Sequence, residues 1–134
     1  RGAHGTLPLP AGVLIENSPS CIADVAIHMM PFLRMFPRSV LTWPLLLDEW
    51  RSSDWLDWIG HALCKDGKSL RICLLSAAHD KVVPASCMEE LQRVGQKHSS
   101  LELSFHRFQR GDHMGTYLLA GEHYWQALRK FVAS

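Results

Sequence analysis

The sequence predicts an α/β fold in which parallel strands alternate with helices. Two short apolar runs, Val13-Leu14-Ile15 and Leu70 to Leu75, are continuous, the pattern of strands covered on both faces. A third run, Leu101 to Phe108, alternates apolar and polar residues, as a strand with one polar face near a sheet edge does. Segments with helical spacing separate and follow these runs, and that alternation is the signature of a parallel sheet. With 134 residues, 47% hydrophobic and 20% charged, the chain has the profile of one globular domain with its own core.

Residues 1–11 contain Gly and Pro and read as an irregular start. The first strand follows Gly12 and closes at Glu16-Asn17-Ser18-Pro19. Ser20 is the expected cap of a helix through Ile22, Val25, Ala26, Met29 and Met30, whose spacing is helical. Residues 31–53 are rich in Pro, Trp and Leu without a clean period, which predicts short helices and loops. A helix is predicted over 54–64, stopped by Lys65-Asp66-Gly67-Lys68, and the second strand follows. Pro84 suits the first turn of a helix continuing through Met88, Leu91 and Val94 to Gly95. After the third strand, one amphipathic helix is predicted from about Tyr117 to Val132. There is no internal repeat.

Several function classes are disfavoured. Formal net charge is +1 and the basic residues are scattered, with no aromatic-basic stripe, so no nucleic-acid partner is expected. No window reaches the ~18 consecutive apolar residues of a membrane span. The richest stretch, Met29 to Leu47, is broken by Pro31, Arg34, Pro37, Arg38 and Pro44. The chain opens on Arg1 and has no signal-peptide layout; an origin within a longer gene product, or by processing, is expected, with any targeting signal or anchor upstream. Cys21, Cys64, Cys73 and Cys87 form no Cys-x-x-Cys and no zinc spacing, and read as four separate thiols. No cofactor and no metal is expected.

The chemistry concentrates at two loops. Asp80 follows the second strand, within Ser76-Ala77-Ala78-His79-Asp80-Lys81-Val82-Val83-Pro84. His113 follows the third, within Arg110-Gly111-Asp112-His113-Met114. In open parallel sheets, functional groups sit on loops at the carboxyl ends of strands. One helix and one strand fill the interval between the two residues. A serine hydrolase needs a nucleophile, a base that takes its proton and an acid that holds the base in the right tautomer. Asp80 and His113 are the candidate acid and base, in the order the α/β-hydrolase fold uses after its Ser.

Asp112 is a rival acid beside His113, but sequence neighbours seldom point at each other, and a turn-forming role is expected. His79 is expected to face solvent. A metal set of His79, Asp80, Asp112 and His113 has no metal-ligand spacing. His28, His61, His98, His106 and His123 show no partner pattern. No Gly-x-Ser-x-Gly elbow occurs. Ser18, Ser20 and Cys21 lack bracketing glycines and follow Pro19, so they read as turn and cap residues; Ser76 reads as structural.

The segment Gly12 to Ile22 resembles the strand and loop that follow the nucleophile helix in the α/β-hydrolases related to alpha/beta-hydrolase domain-containing protein thirteen. These are serine hydrolases of the bud-emergence type, grouped with serine aminopeptidase-like domains. Asp80-Lys81-Val82-Val83-Pro84 with Met88 is similar to that family's acid loop and helix, Gly111-Asp112-His113 with Thr116 to its His loop, and Tyr124 to Val132 to its closing helix. The likeness covers the chain from Gly12 and is strongest from Arg71 onward. The family's turn before the acid carries a Gly where Ala77-Ala78 stand, its His is followed by Asn-Asp where Met114-Gly115 stand, and residues 60–69 look like a small insertion.

The resemblance implies that residues 1–134 are one incomplete α/β-hydrolase domain, the C-terminal half of an ester, thioester or amide hydrolase. Residues 18–64 would be a lid- or cap-like segment, and 70–134 would carry the acid and His loops. The nucleophile would lie just upstream of Arg1. The substrate would be a small or lipid-like acyl compound, and the setting intracellular or membrane-associated through a segment outside this chain. The alternative is a truncated, non-catalytic module that acts by binding. An isolated chain is expected to self-associate, because its first strand and its sheet would lack their neighbours.

Overall fold

The computed structural model describes residues 8–39 and 50–133. Trp43 and the rest of residues 40–49 lie outside the described residues. Three strands, β1 (Val13–Glu16), β2 (Leu70–Ala77) and β3 (Leu101–Phe108), form one parallel sheet in the order β1-β2-β3. Val13 pairs with Ile72 and Glu16 with Leu75; Leu70 pairs with Leu101 and Ala77 with Phe108. Helices intervene: α1 (Ile22–Met29), a 3-10 turn (Pro31–Met35), α2 (Ser52–Lys65), α3 (Ala85–Gly95), α4 (Thr116–Leu119) and α5 (Glu122–Ala133). This is an α/β fold built on a small parallel sheet.

The continuous apolar run of β2 is explained by burial on both faces. Ile72 and Leu74 point to one side, where Leu56 and Leu63 of α2 and Met88, Leu91 and Val94 of α3 close the larger core. Cys73 and Leu75 point to the other side, against Phe108 of β3 and Tyr124 and Ala127 of α5. The molecule is therefore three layers thick at β2. A small satellite cluster of Val25, Val83 and Cys87 joins α1 to the loop after β2.

Several local expectations are corrected. β1 is not covered on both faces: its residues are intermediate or exposed, and among the described residues it pairs only with β2. Ser20 does not cap α1. Cys21 holds the N-cap position without a side-chain bond, and the Ser20 hydroxyl instead donates to Asp24 Oδ2 at 3.4 Å. Pro84 sits one position before its helix, with extended ψ of 142°. The last helix is broken in two, because Gly121 adopts φ of +58°, which ends α4 before α5 begins. α2 packs Leu56 and Leu63 against the sheet. The four cysteines are free thiols: Cys73 and Cys87 are buried, Cys21 is intermediate and Cys64 exposed.

Candidate functional site

Parallel pairing brings the carboxyl ends of all three strands to one edge, and each contributes a loop there. β2 ends at Ala77; Ala78, whose N–H donates to Phe108 O at 2.9 Å, follows it, and the chain then turns at Asp80. Asp80 is buried, with 1% of its side chain exposed. Its Oδ1 accepts the backbone N–H of Val82 at 2.7 Å and of Val83 at 2.9 Å. Those two bonds fix the carboxylate's rotation and close the turn that leads into α3. The other oxygen, Oδ2, lies 2.9 Å from Nδ1 of His113. The structure thus brings together the two residues singled out from sequence, across 33 positions of chain.

A carboxylate can only accept, so the contact places a proton on Nδ1 of His113 and leaves the Nε2 lone pair free. The His113 side chain is one-third exposed, at 33%. The arrangement can therefore hold an imidazole in one tautomer, present Nε2 as a base, and stabilise the imidazolium that results. Among the described residues, no serine or cysteine pairs with His113, and no nucleophile elbow is present.

The rival acid takes a different task. Asp112 Oδ1 accepts the N–H groups of Met114 at 3.2 Å and Gly115 at 2.6 Å, which makes the turn that carries His113. Thr116 Oγ1 donates to Asp112 O at 2.7 Å and ties that turn to α4. His79 is exposed, as expected. The four residues His79, Asp80, Asp112 and His113 do not form a ligand cluster; among the described residues, the one such cluster lies elsewhere. Ser76 is buried within β2, and Ser20 is buried beside α1.

Sequence reasoning missed Asn17, which it treated as part of a turn. Asn17 follows β1, is 5% exposed and has φ of +42°, a left-handed backbone that Asn tolerates better than most residues. Its backbone N–H donates to Leu75 O at 3.0 Å, and its Oδ1 accepts Ala77 N–H at 2.8 Å. Its Nδ2 reaches Thr116 Oγ1 at 3.1 Å, and Asp112 O and His113 O at 3.4 and 3.5 Å. One amide therefore joins the ends of β1 and β2 to the His113 turn. The available signal was an Asn directly beyond a strand's carboxyl end, where its short amide can bond to neighbouring backbone.

No family model, no curated protein and no solved structure matches this chain. Fold and site together define an α/β chain that carries a buried acid locked to a part-exposed histidine at the carboxyl edge of a parallel sheet.

Proposed function

We propose that this chain is the C-terminal part of a serine hydrolase of the α/β-hydrolase type, supplying the acid and the base of a catalytic triad. The resemblance to the group related to alpha/beta-hydrolase domain-containing protein thirteen gives the reading its family. The observation that carries it is the 2.9 Å contact between Asp80 Oδ2 and His113 Nδ1, with Asp80 Oδ1 held by two backbone N–H groups. An ordinary surface Asp–His pair would lack that anchoring and burial.

In this reading a serine outside the chain attacks the acyl carbon of an ester, thioester or amide. His113 Nε2 takes the serine proton and returns it to the leaving group, while Asp80 holds the ring and stabilises the imidazolium. The oxyanion hole would come from the residue after that serine and an earlier loop. Exposed Met29, Phe32, Met35 and Phe36 on and after α1 suit a lipid-like acyl group or a membrane-proximal setting.

The test is to react the native source protein with a fluorophosphonate probe and weigh what is labelled. The expected result is a labelled species much heavier than 15.2 kDa, with labelling lost in His113→Ala. An unlabelled species near 15.2 kDa would overturn the reading in favour of a non-catalytic binding module.

A further inference from the structure

A second cluster of potential ligand groups lies at the opposite end of the sheet from Asp80 and His113. Asp57 and His61 are four residues apart on α2, which sets them on one face of the helix. His98 comes from the turn between α3 and β3, and Leu101 at the start of β3 donates its N–H to His98 O at 3.1 Å. Ligand atoms of the three residues all lie within 4.8 Å of one another. Asp57 Oδ1 is 2.9 Å from His98 Nε2, and Asp57 Oδ2 is 3.7 Å from His61 Nδ1. The two imidazoles meet edge to face with centroids 4.6 Å apart.

The backbone around the cluster is shaped to hold it. Gly60 sits inside α2, where glycine costs about 1 kcal/mol relative to alanine. A Cβ there would come within 2.4 Å of the His98 ring, so the glycine is what lets that ring lie against the helix. Ser100 Oγ donates to Gly60 O at 2.7 Å and fixes the same turn to the same helix. The His98 side chain is only 8% exposed, whereas those of His61 and Asp57 are open to solvent, with His61 Nδ1 3.0 Å from Asp57 O of the preceding turn.

We propose that Asp57, His61 and His98 form a binding site for a divalent transition-metal ion of the zinc class, which clasps α2 to the α3–β3 turn. Two imidazoles and one carboxylate are a donor set that suits zinc, whose bonds to nitrogen and oxygen are about 2.0–2.2 Å. Two such ligands at a tetrahedral angle stand about 3.3 Å apart. The 2.9 Å between Asp57 and His98 therefore needs to open by only a few tenths of an ångström. His61 completes the set by turning its exposed ring, either giving up the contact of Nδ1 with Asp57 O or coordinating through Nε2, and the fourth position is left to water. Coordination through His98 Nε2 moves that nitrogen's proton to Nδ1 of the same ring, or releases it to solvent from the imidazolium, and calls for no other reactant. The site is independent of the hydrolase reading.

The test titrates the full 134-residue chain with cobalt(II) as a spectroscopic reporter, followed by zinc. The expected result is a saturable visible band of four-coordinate cobalt at one equivalent, without a thiolate charge-transfer band, displaced by zinc. In His61→Ala and in Asp57→Asn the dissociation constant should rise by roughly tenfold or more. His61 is exposed and Asp57→Asn keeps a polar group facing His98, so circular dichroism should show both variants folded. No saturable band, a thiolate band from a cysteine such as the exposed Cys64, or an unchanged affinity in either variant would overturn the proposal.

Discussion

At the scale of single residues, Asp80 does two jobs that substitution can separate. Its Oδ1 satisfies two backbone N–H groups, of Val82 and Val83, and its Oδ2 addresses His113. Asp80→Asn can keep the first job with its amide oxygen. Its N–H, however, then faces His113 Nδ1 and drives the imidazole to the other tautomer, with the proton on Nε2. The expected outcome is near-native stability and, if the proposed function holds, a fall of about 10⁴ in the rate at which the intact source protein is labelled by the probe. Asp80→Ala loses both jobs and leaves the two N–H groups without a partner, at about 1–3 kcal/mol for each buried group left unmade. Paired measurements of chemical denaturation and labelling rate check this. If Asn and Ala lower labelling only in proportion to stability, Asp80 is a turn residue and the acid role fails.

At the scale of elements, α5 is joined to β1 by a bond that depends on pH. The Tyr124 hydroxyl donates to Glu16 Oε2 at 2.9 Å, and Tyr124 is buried between Phe108 and the helix. Burial first, then the bond and the charge of Glu16, push the phenol up to about 12. An unfolded tyrosine ionises near 10, so the folded state holds this proton more tightly. The stabilisation is complete below about pH 10 and is lost as pH rises towards about 12. Tyr124→Phe should be less stable at neutral pH, and its alkaline decline over that interval should be shallower. Denaturant midpoints against pH would show this, and parallel curves for both proteins would count against it. Much at this scale was legible in sequence. β2 is a continuous apolar run, α3 and β3 carry clean periodicity, and Asp80 and His113 could be found because strand ends mark where such loops meet. Other features depended on partners far along the chain. The exposure of β1 could not be read from Val13-Leu14-Ile15, since a continuous apolar run fits a covered strand and an edge strand equally. The break at Gly121 was hidden because the residues on both sides of it keep helical spacing. Asn17 and the Asp57–His98 pair escaped because their contacts span 60 and 41 residues or more.

At the scale of the whole molecule, the sheet is unevenly covered. β2 is enclosed on both faces and paired on both sides, but among the described residues β1 and β3 each have one strand neighbour. Leu14 of β1 is exposed. Met29, Met30, Phe32, Met35 and Phe36 cluster in sequence and are all exposed, as are Trp55 and Trp58 on α2. Single exposed apolar residues are ordinary, whereas a run of them, together with a strand edge that lacks a partner among the described residues, favours association. Nothing in the charge balance opposes it, since the formal net charge is +1. The chain purified by itself is therefore expected to elute from a size-exclusion column at micromolar concentration as species heavier than 15.2 kDa, or to precipitate. A charge on the exposed edge should oppose pairing there: Leu14→Lys should shift the distribution towards monomer. If that variant stays associated while Phe32→Ser and Met35→Ser release the monomer, the segment after α1 is the sticky surface. A sharp monomer peak for the unaltered chain would mean that both surfaces are tolerated in water, and the expectation fails.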